Sequence, residues 1–190
     1  MNTLFTVAPE YPPGFCYLPE FISAEEEAYF INICRQQELH TFRFGGYEAK
    51  RRVASFGQDW NFETQTLQQG NPVPGAFQPL ILKVAAEVGT APADFAELLV
   101  THYPAGAVIN WHRDAPPFDL VAGISLLTDC TFRLRPYDKA QQKRANIISF
   151  PVQRRSLYLM GGASRMDWQH SIGAVAHERY SITLRTLRRG

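Results

Sequence analysis

The chain has 190 residues, of which 45% are hydrophobic, 13% aromatic and 19% charged. Since a typical domain has about 150 residues, this length predicts one domain with an elaboration, and the composition excludes disordered, collagen-like and coiled-coil chains. The 19 basic and 18 acidic side chains give a formal charge of +1, so no global field indicates a nucleic-acid partner.

The N-terminal half of the sequence predicts two helices and a hairpin. Ser23 and Glu26 form a capping box, and apolar residues recur at helical spacing after them, which predicts a helix from Ser23 to Glu38. The segments that follow are a glycine-hinged hairpin over 41–60, a proline-containing loop over 61–77 and a second helix over 78–88.

The C-terminal half predicts short strands punctuated by Pro and Gly at roughly ten-residue spacing. Many short strands behind N-terminal helices indicate a β-sandwich or a jelly roll buttressed by an α-rich part. The predicted strands are 98–103, 107–112, 120–127, 131–136, 146–150, 156–160, 168–170 and 180–187.

Basic residues cluster in two places although the net charge is small. Between Phe132 and Arg155 there are seven basic residues and one acid, and Lys50-Arg51-Arg52 forms a second cluster. Such clusters suit the phosphates of a nucleic acid, and they equally suit a solvated hairpin loop.

The sequence also predicts the location of the protein and the state of its cysteines. No apolar run reaches the roughly 18 residues of a membrane span, and Met1–Phe15 has neither a basic segment nor a long apolar one. We therefore expect a cytoplasmic protein. The three widely spaced cysteines predict reduced thiols and neither a disulfide framework nor a structural zinc site.

The triplet His112-Arg113-Asp114 places an imidazole and a carboxylate on one face of an extended chain, because side chains two apart point the same way. His170 lies in another predicted strand, from which it can reach the same point. Two imidazoles and one carboxylate form a facial triad that suits non-haem iron(II) oxygenase chemistry. A surface hydrogen bond is the alternative for a triplet that stands alone.

Arg179 and Arg185 lie an even number of residues apart in the last predicted strand, so both guanidinium groups point to one face, opposite Ile182. Inward-facing arginines are costly unless an anion meets them, and guanidinium binds carboxylate through two parallel hydrogen bonds. The pattern predicts a dicarboxylic cosubstrate. The alternative is an edge strand whose arginines face solvent.

Several motifs in this order resemble those of the AlkB family of iron(II)- and 2-oxoglutarate-dependent dioxygenases. The resemblance covers Leu98 to Leu187 strongly and extends loosely to Arg51–Gly57, which is similar to the nucleotide-lid hairpin of eukaryotic AlkB-like dealkylases. The motifs are Tyr103-Pro-Ala-Gly-Ala, His112-Arg-Asp114, Gly161-Gly-Ala-Ser-Arg165, His170 and Arg179-Tyr-Ser-Ile-Thr-Leu-Arg185.

The resemblance implies an α+β fold in a single domain of residues 1–190. A double-stranded β-helix, or jelly roll, would form the catalytic core over about 91–190, with N-terminal helices and a β-hairpin nucleotide lid over about 1–90.

The resemblance also implies roles for individual residues. The iron(II) ligands would be His112, Asp114 and His170, and dioxygen would take a remaining position on the metal. The far carboxylate of 2-oxoglutarate would meet Arg179 with help from Tyr103. Arg185 would complete that pocket, and Thr101 stands where a bacterial relative has an asparagine.

The implied reaction is oxidative removal of alkyl groups from nucleic-acid bases, with release of aldehyde, succinate and CO2, as in the repair of alkylated DNA or RNA. The base would come from a single strand or be flipped out of a duplex, and it needs aromatic walls. Candidates for these walls are Phe44, Phe56 and Trp60, and Arg51 and Arg52 are candidates for binding flanking phosphates.

One position departs from the family pattern. Pro116 stands where relatives that repair alkylated DNA commonly carry an acid that reads the base edge, and Asp119 is a possible substitute. The same chemistry on a modified RNA base, a protein side chain or a small molecule therefore remains open, as does a non-catalytic module that binds nucleic acid or an organic acid. We expect a monomer.

Overall fold

The computed structural model describes residues 10–44 and 46–189, without the side chains of Phe44 and Tyr47. Its helices are α1 (Ala24–Arg35), α2 (Gln78–Val88) and α3 (Gly162–Met166). Its strands are β1 (Phe15–Leu18), β2 (His40–Phe44), β3 (Tyr47–Asn61), β4 (Thr66–Gln69), β5 (Phe95–Tyr103), β6 (Ile109–His112), β7 (Phe118–Leu126), β8 (Cys130–Pro136), β9 (Ile148–Val152), β10 (Leu157–Met160), β11 (Trp168–Ile172) and β12 (Arg179–Leu187).

The strands form two antiparallel sheets. The larger has the order β1-β10-β7-β12-β5-β3-β2, with β4 paired to β3, and the smaller has the order β6-β11-β8-β9. Val121 of the larger sheet packs in one buried cluster with Phe132 and Ile172 of the smaller sheet, so the two sheets face each other. This arrangement confirms the predicted jelly roll.

Helices cover the outer face of the larger sheet. Side chains alternate along a strand, so Val100 of β5 and Ile182 of β12 point away from the smaller sheet. They pack there against Phe30 of α1 and Val84 of α2, and all four are at most 2% exposed. The helices therefore leave the face between the sheets to other side chains.

The first helix begins where its capping box predicts. The Ser23 hydroxyl accepts a hydrogen bond from the Glu26 amide at 3.1 Å, and the Glu26 carboxylate accepts one from the Ser23 amide at 2.7 Å. The helix ends at Arg35, earlier than the predicted Glu38. The second helix spans 78–88 as predicted. Gly89 caps its C-terminal end with a φ of 69°, a left-handed conformation that favours glycine.

The segment predicted as a loop over 61–77 contains a strand. Residues of β4 are exposed throughout and pair with the far end of β3, where Trp60 lies opposite Leu67. Because this ribbon meets solvent, β4 lacks the apolar alternation by which strands are recognised in a sequence.

Within the described residues, no helix is both long and apolar enough to cross a membrane.

The apolar layer between helices and sheet should be sensitive to truncation. Phe77 is 0% exposed, so we expect Phe77→Ala to lower the free energy of unfolding by about 3–5 kcal/mol. Leu82→Ala, at a position 51% exposed on α2, is the control and should change it by less than about 1 kcal/mol. Chemical denaturation measures both, and equal losses would contradict this assignment of the core.

Candidate metal centre and anion pocket

His112, Asp114 and His170 converge between the two sheets. His112 ends β6 and lies directly across from His170 of β11, and Asp114 follows in the loop after β6. One ligand atom from each residue lies within 4.8 Å of the others, and the two imidazole centroids are 4.1 Å apart. The structure therefore brings together the three side chains that the sequence singled out.

The Asp114 carboxylate has one satisfied oxygen and one unsatisfied oxygen. Its Oδ1 accepts hydrogen bonds from Arg185 Nε at 3.0 Å and Nη2 at 2.7 Å. Its Oδ2 is buried without a hydrogen-bond partner and lies 3.6 Å from His170 Nε2. Because a buried polar atom normally has a partner, this oxygen fits a bound cation.

Burial and charge keep the three groups in the protonation states of metal ligands. Burial lowers the pKa of His170 to about 3 and also lowers that of His112. Burial would raise the pKa of Asp114, but Arg185, the two imidazoles and Arg165 together outweigh burial and hold that pKa well below the ordinary value. Two neutral imidazoles and one carboxylate suit iron(II).

Neighbouring groups fix the orientation of these side chains. The Nδ1 atom of His112 bonds to the carbonyl oxygen of Asn110 at 2.9 Å, which leaves Nε2 for a ligand. The ring of Phe132 stacks on His170 with centroids 5.5 Å apart and planes 5° apart. The buried Arg165 donates to the carbonyl oxygens of Asp114 and Ala115 at 3.0 and 2.6 Å, which holds the loop.

A second polar cluster surrounds Arg179, which is 0% exposed. Two of its nitrogens donate to the Ser125 hydroxyl at 3.1 and 3.2 Å, and its guanidinium lies 4.7 Å from the Tyr103 ring centroid. Its Nη1 atom is buried without a partner. A buried cation with an unpaired donor fits a carboxylate ligand.

The strand register explains how this pocket is assembled. Arg179 pairs with Tyr103 and Ser181 pairs with Thr101, so all four side chains share one face. The Tyr103 hydroxyl is 3.2 Å from the Ser181 hydroxyl. The predicted cosubstrate residues Thr101, Tyr103 and Arg179 are thus neighbours, and Ser125 and Ser181 join them.

Arg185 shares this inner face, but protein carboxylates occupy its guanidinium. Besides Asp114 it bonds Glu97, a residue of β5 that is 4% exposed and also meets the Ser55 hydroxyl at 3.2 Å. The structure thus shows Arg185 holding Asp114, and its part in the cosubstrate pocket stays a prediction. Sequence analysis missed Glu97, although its even spacing from Thr101 and Tyr103 places it on the same face.

The predicted β2–β3 hairpin is present, and one of its basic residues faces the metal centre. Arg51 lies with its guanidinium 3.9 Å from the Phe42 ring centroid, and its charge adds to the lowering of the His112 pKa, after burial. Phe62 lies edge-on to Phe42 with centroids 6.1 Å apart. Sequence analysis did not select these two rings, since alternation with arginine was the only signal at Phe42.

The other predicted substrate residues lie elsewhere. Arg52 points to the opposite face of β3, where it donates to the Leu39 carbonyl oxygen at 2.6 Å. Phe56 is 8% exposed in the helix-facing core beside Phe77, so its ring cannot stack on a base. Trp60 lies in the β3–β4 ribbon, beyond the last β3–β5 pair. The side chain of Phe44 falls outside the described residues.

The fold and this site together define the class of protein. The chain matches the model of the 2OG-Fe(II) oxygenase superfamily over residues 14–185, and it belongs to that superfamily. It is accordingly a dioxygenase that depends on iron(II), 2-oxoglutarate and O2.

Within the superfamily the chain is similar to AlkB homologues. Mouse tRNA (carboxymethyluridine(34)-5-O)-methyltransferase ALKBH8 is 26% identical over 167 residues, which are 85% of this chain and 24% of that protein. Bovine alpha-ketoglutarate-dependent dioxygenase alkB homolog 3 is 25% identical over 191 residues, covering 90% of this chain and 65% of that protein. The chain thus spans about a quarter of the first relative and just under two thirds of the second.

Solved structures support the same fold. OsALKBH1 superposes with a TM-score of 0.70 at 15% identity, covering 94% of this chain and 99% of that one. A Pseudomonas putida prolyl-4-hydroxylase superposes with a TM-score of 0.60 at 15% identity, covering 93% and 94%. At these identities the likeness extends to the jelly roll and not to the substrate.

The lowered histidine pKa values predict how metal affinity depends on pH. Two histidines with the ordinary pKa of 6.5 would each cost about tenfold in affinity at pH 5.5, about a hundredfold together. Because both pKa values are lower here, protons compete with the metal for the imidazoles only at lower pH. We therefore expect Mn²⁺ affinity to fall less than about tenfold between pH 7.5 and 5.5. Calorimetric titration measures this, with His102→Ala as a remote control. A hundredfold fall would contradict the lowered values.

The Arg185 network predicts a large loss of stability when its cation is removed. In Arg185→Met, the buried carboxylates of Asp114 and Glu97 lose their shared partner, and we expect unfolding to become easier by about 3–5 kcal/mol in the metal-free protein. Adding Glu97→Gln should recover part of the loss, because it removes one stranded charge. Denaturation of the single and double variants checks this, and strictly additive losses would argue against coupling.

Proposed function

We propose that this chain oxidatively removes alkyl groups from nucleic-acid bases that are single-stranded or flipped out, as in the repair of alkylated DNA or RNA. The observation that carries the proposal is the position of Arg51, whose charge acts on His112 while its guanidinium covers the Phe42 ring. A cation that acts on His112 and an aromatic ring beside that cation match the two parts of a nucleotide, its phosphate and its base.

In this proposal His112, Asp114 and His170 would hold iron(II). Asp114 would bind through Oδ2, the oxygen that Arg185 does not engage, and His112 through Nε2. Arg179 would bind the far carboxylate of 2-oxoglutarate, with Thr101 and Tyr103 beside it. The bound metal and cosubstrate supply the activation of dioxygen for attack on a C–H bond.

The reaction balances when dioxygen is divided between two products. One oxygen atom enters 2-oxoglutarate, which leaves as succinate and CO2, and the other enters a C–H bond of the N-methyl group. The N–C bond of the hydroxymethyl product then breaks to release formaldehyde, and the base nitrogen takes up the proton of the hydroxyl. The task of the chain is to position the methyl group and to exclude water.

The outer face of the smaller sheet offers further support for a nucleic-acid substrate. The guanidinium groups of Arg133 and Arg135 lie 5.1 and 4.5 Å from the Trp111 ring, on the strand that carries His112. Arg113 lies 3.6 Å from the centroid of the Tyr137 ring. The surrounding arginines make Trp111 part of a basic face that suits phosphates.

The β2–β3 hairpin would act as the nucleotide lid of a single domain. It joins the larger sheet through β3 and β5, so its base is fixed while the charge of Arg51, whose guanidinium covers the Phe42 ring, acts on His112. Substrate bound under the hairpin would place its methyl group near the imidazoles of His112 and His170.

The test is formaldehyde and succinate release from methylated single-stranded DNA and RNA oligonucleotides, with the loss of a methyl group measured by mass. We expect both products in equal amounts, and none with Asp114→Ala. Succinate with demethylation only of methylated peptides or small molecules would overturn the nucleic-acid substrate. Absence of succinate under all conditions would favour a binding module.

Arg51 and Arg52 provide a matched pair of variants, because adjacent residues on β3 face opposite sides. We expect Arg51→Gln to raise the KM for a methylated oligonucleotide about five- to tenfold and to reduce the salt dependence of binding by about one phosphate contact. Arg52→Gln should leave both within about twofold. Equal effects of the two substitutions would contradict the placement of phosphate beside Arg51.

A further inference from the structure

Tyr158 fills a position that its cross-strand neighbour keeps open. It lies on β10 directly opposite Gly123 of β7, so both residues share the inner face of the larger sheet. A Cβ atom on Gly123 would overlap the Tyr158 ring and its hydroxyl oxygen. The phenol therefore lies flat across the glycine, and any larger residue at 123 would displace it.

The register places this phenol next to the Arg179 pocket. Ser125, whose hydroxyl accepts from Arg179, lies two residues from Gly123 on the same face of β7. The charges of Tyr158 and Arg179 influence each other's pKa values, after the larger effect of burial. Tyr158 and Arg179, with its unpaired Nη1, thus share the inner face of the larger sheet.

The hydroxyl of Tyr158 is available as a donor. Burial raises the pKa of Tyr158 above its ordinary value, so the phenol keeps its proton at physiological pH. The Phe132 ring backs it with centroids 5.0 Å apart, and the residue is 6% exposed. Its hydroxyl makes no hydrogen bond with the described residues, whereas the Tyr103 hydroxyl already meets Ser181.

We propose that Tyr158 is a cosubstrate-binding residue whose hydroxyl donates a hydrogen bond to the far carboxylate of 2-oxoglutarate, beside Arg179. Gly123 makes this contact possible by leaving room for the ring. The carboxylate would then receive one charged and one neutral donor, and Tyr103 would support the pocket through Ser181. This assignment concerns the cosubstrate and holds whatever substrate is oxidised.

The experiment is titration of the Mn²⁺-loaded protein with 2-oxoglutarate by calorimetry, without turnover. A hydrogen bond to a charged group corresponds to about a ten- to hundredfold change in affinity, so we expect Tyr158→Phe to weaken binding by about that factor. Tyr17→Phe, on the neighbouring strand β1, is the matched control. It removes a hydroxyl that accepts from the Gln153 amide and should leave binding unchanged.

A second ligand separates a direct contact from a structural effect. In 2-oxopentanoate a methyl group replaces the far carboxylate, so wild type and Tyr158→Phe should bind it equally weakly. Gly123→Ala should reproduce the loss for 2-oxoglutarate by displacing the ring, with thermal unfolding as the check that it folds. The proposal is overturned if Tyr158→Phe binds 2-oxoglutarate within about twofold of wild type, or if both ligands weaken equally.

Discussion

The structure depends most on the ion pair between Arg185 and Asp114. Burying a carboxylate without a partner is unfavourable. Arg185 donates two hydrogen bonds to one oxygen of Asp114 and leaves the other oxygen unpaired, 3.6 Å from His170 Nε2. Because Arg185 engages only Oδ1, both lone pairs of Oδ2 are free of hydrogen bonds and can meet a cation. The chain therefore carries a carboxylate that is ionised, fixed in direction and half-satisfied, which is the state a metal ligand requires.

Alternation along β12 lets one strand serve two purposes. Ile182 points outward into the core beneath the helices, and Arg179 and Arg185 point inward at opposite ends of the pocket. The apolar face of the strand thus anchors the arginines that carry the charge. The two guanidinium groups differ in their partners: Arg185 is neutralised by protein carboxylates, whereas Arg179 meets hydroxyls and keeps a donor free for an anion.

Sequence reasoning succeeded where the signal is local or periodic. The capping box at Ser23 and the shared face of Arg179 and Arg185 can be read from spacing alone, and the structure has both. It failed where partners are set by the register between strands that are far apart in the sequence, as when β5 brings Glu97 to Arg185 of β12. The opposite faces of Arg51 and Arg52 were readable from alternation, but charge clustering grouped them as one phosphate site.

A chain of contacts joins the hairpin strand to the metal centre. Ser55 of β3 meets Glu97, Glu97 meets Arg185, and Arg185 meets Asp114. Each link is at least partly buried, so a displacement of β3 would change the surroundings of the carboxylate more than it would in water. Arg51 lies four residues from Ser55 on the same strand, so both side chains point to the same face. A ligand held at Arg51 and the ligand atom of Asp114 are thus connected through one strand and three polar contacts.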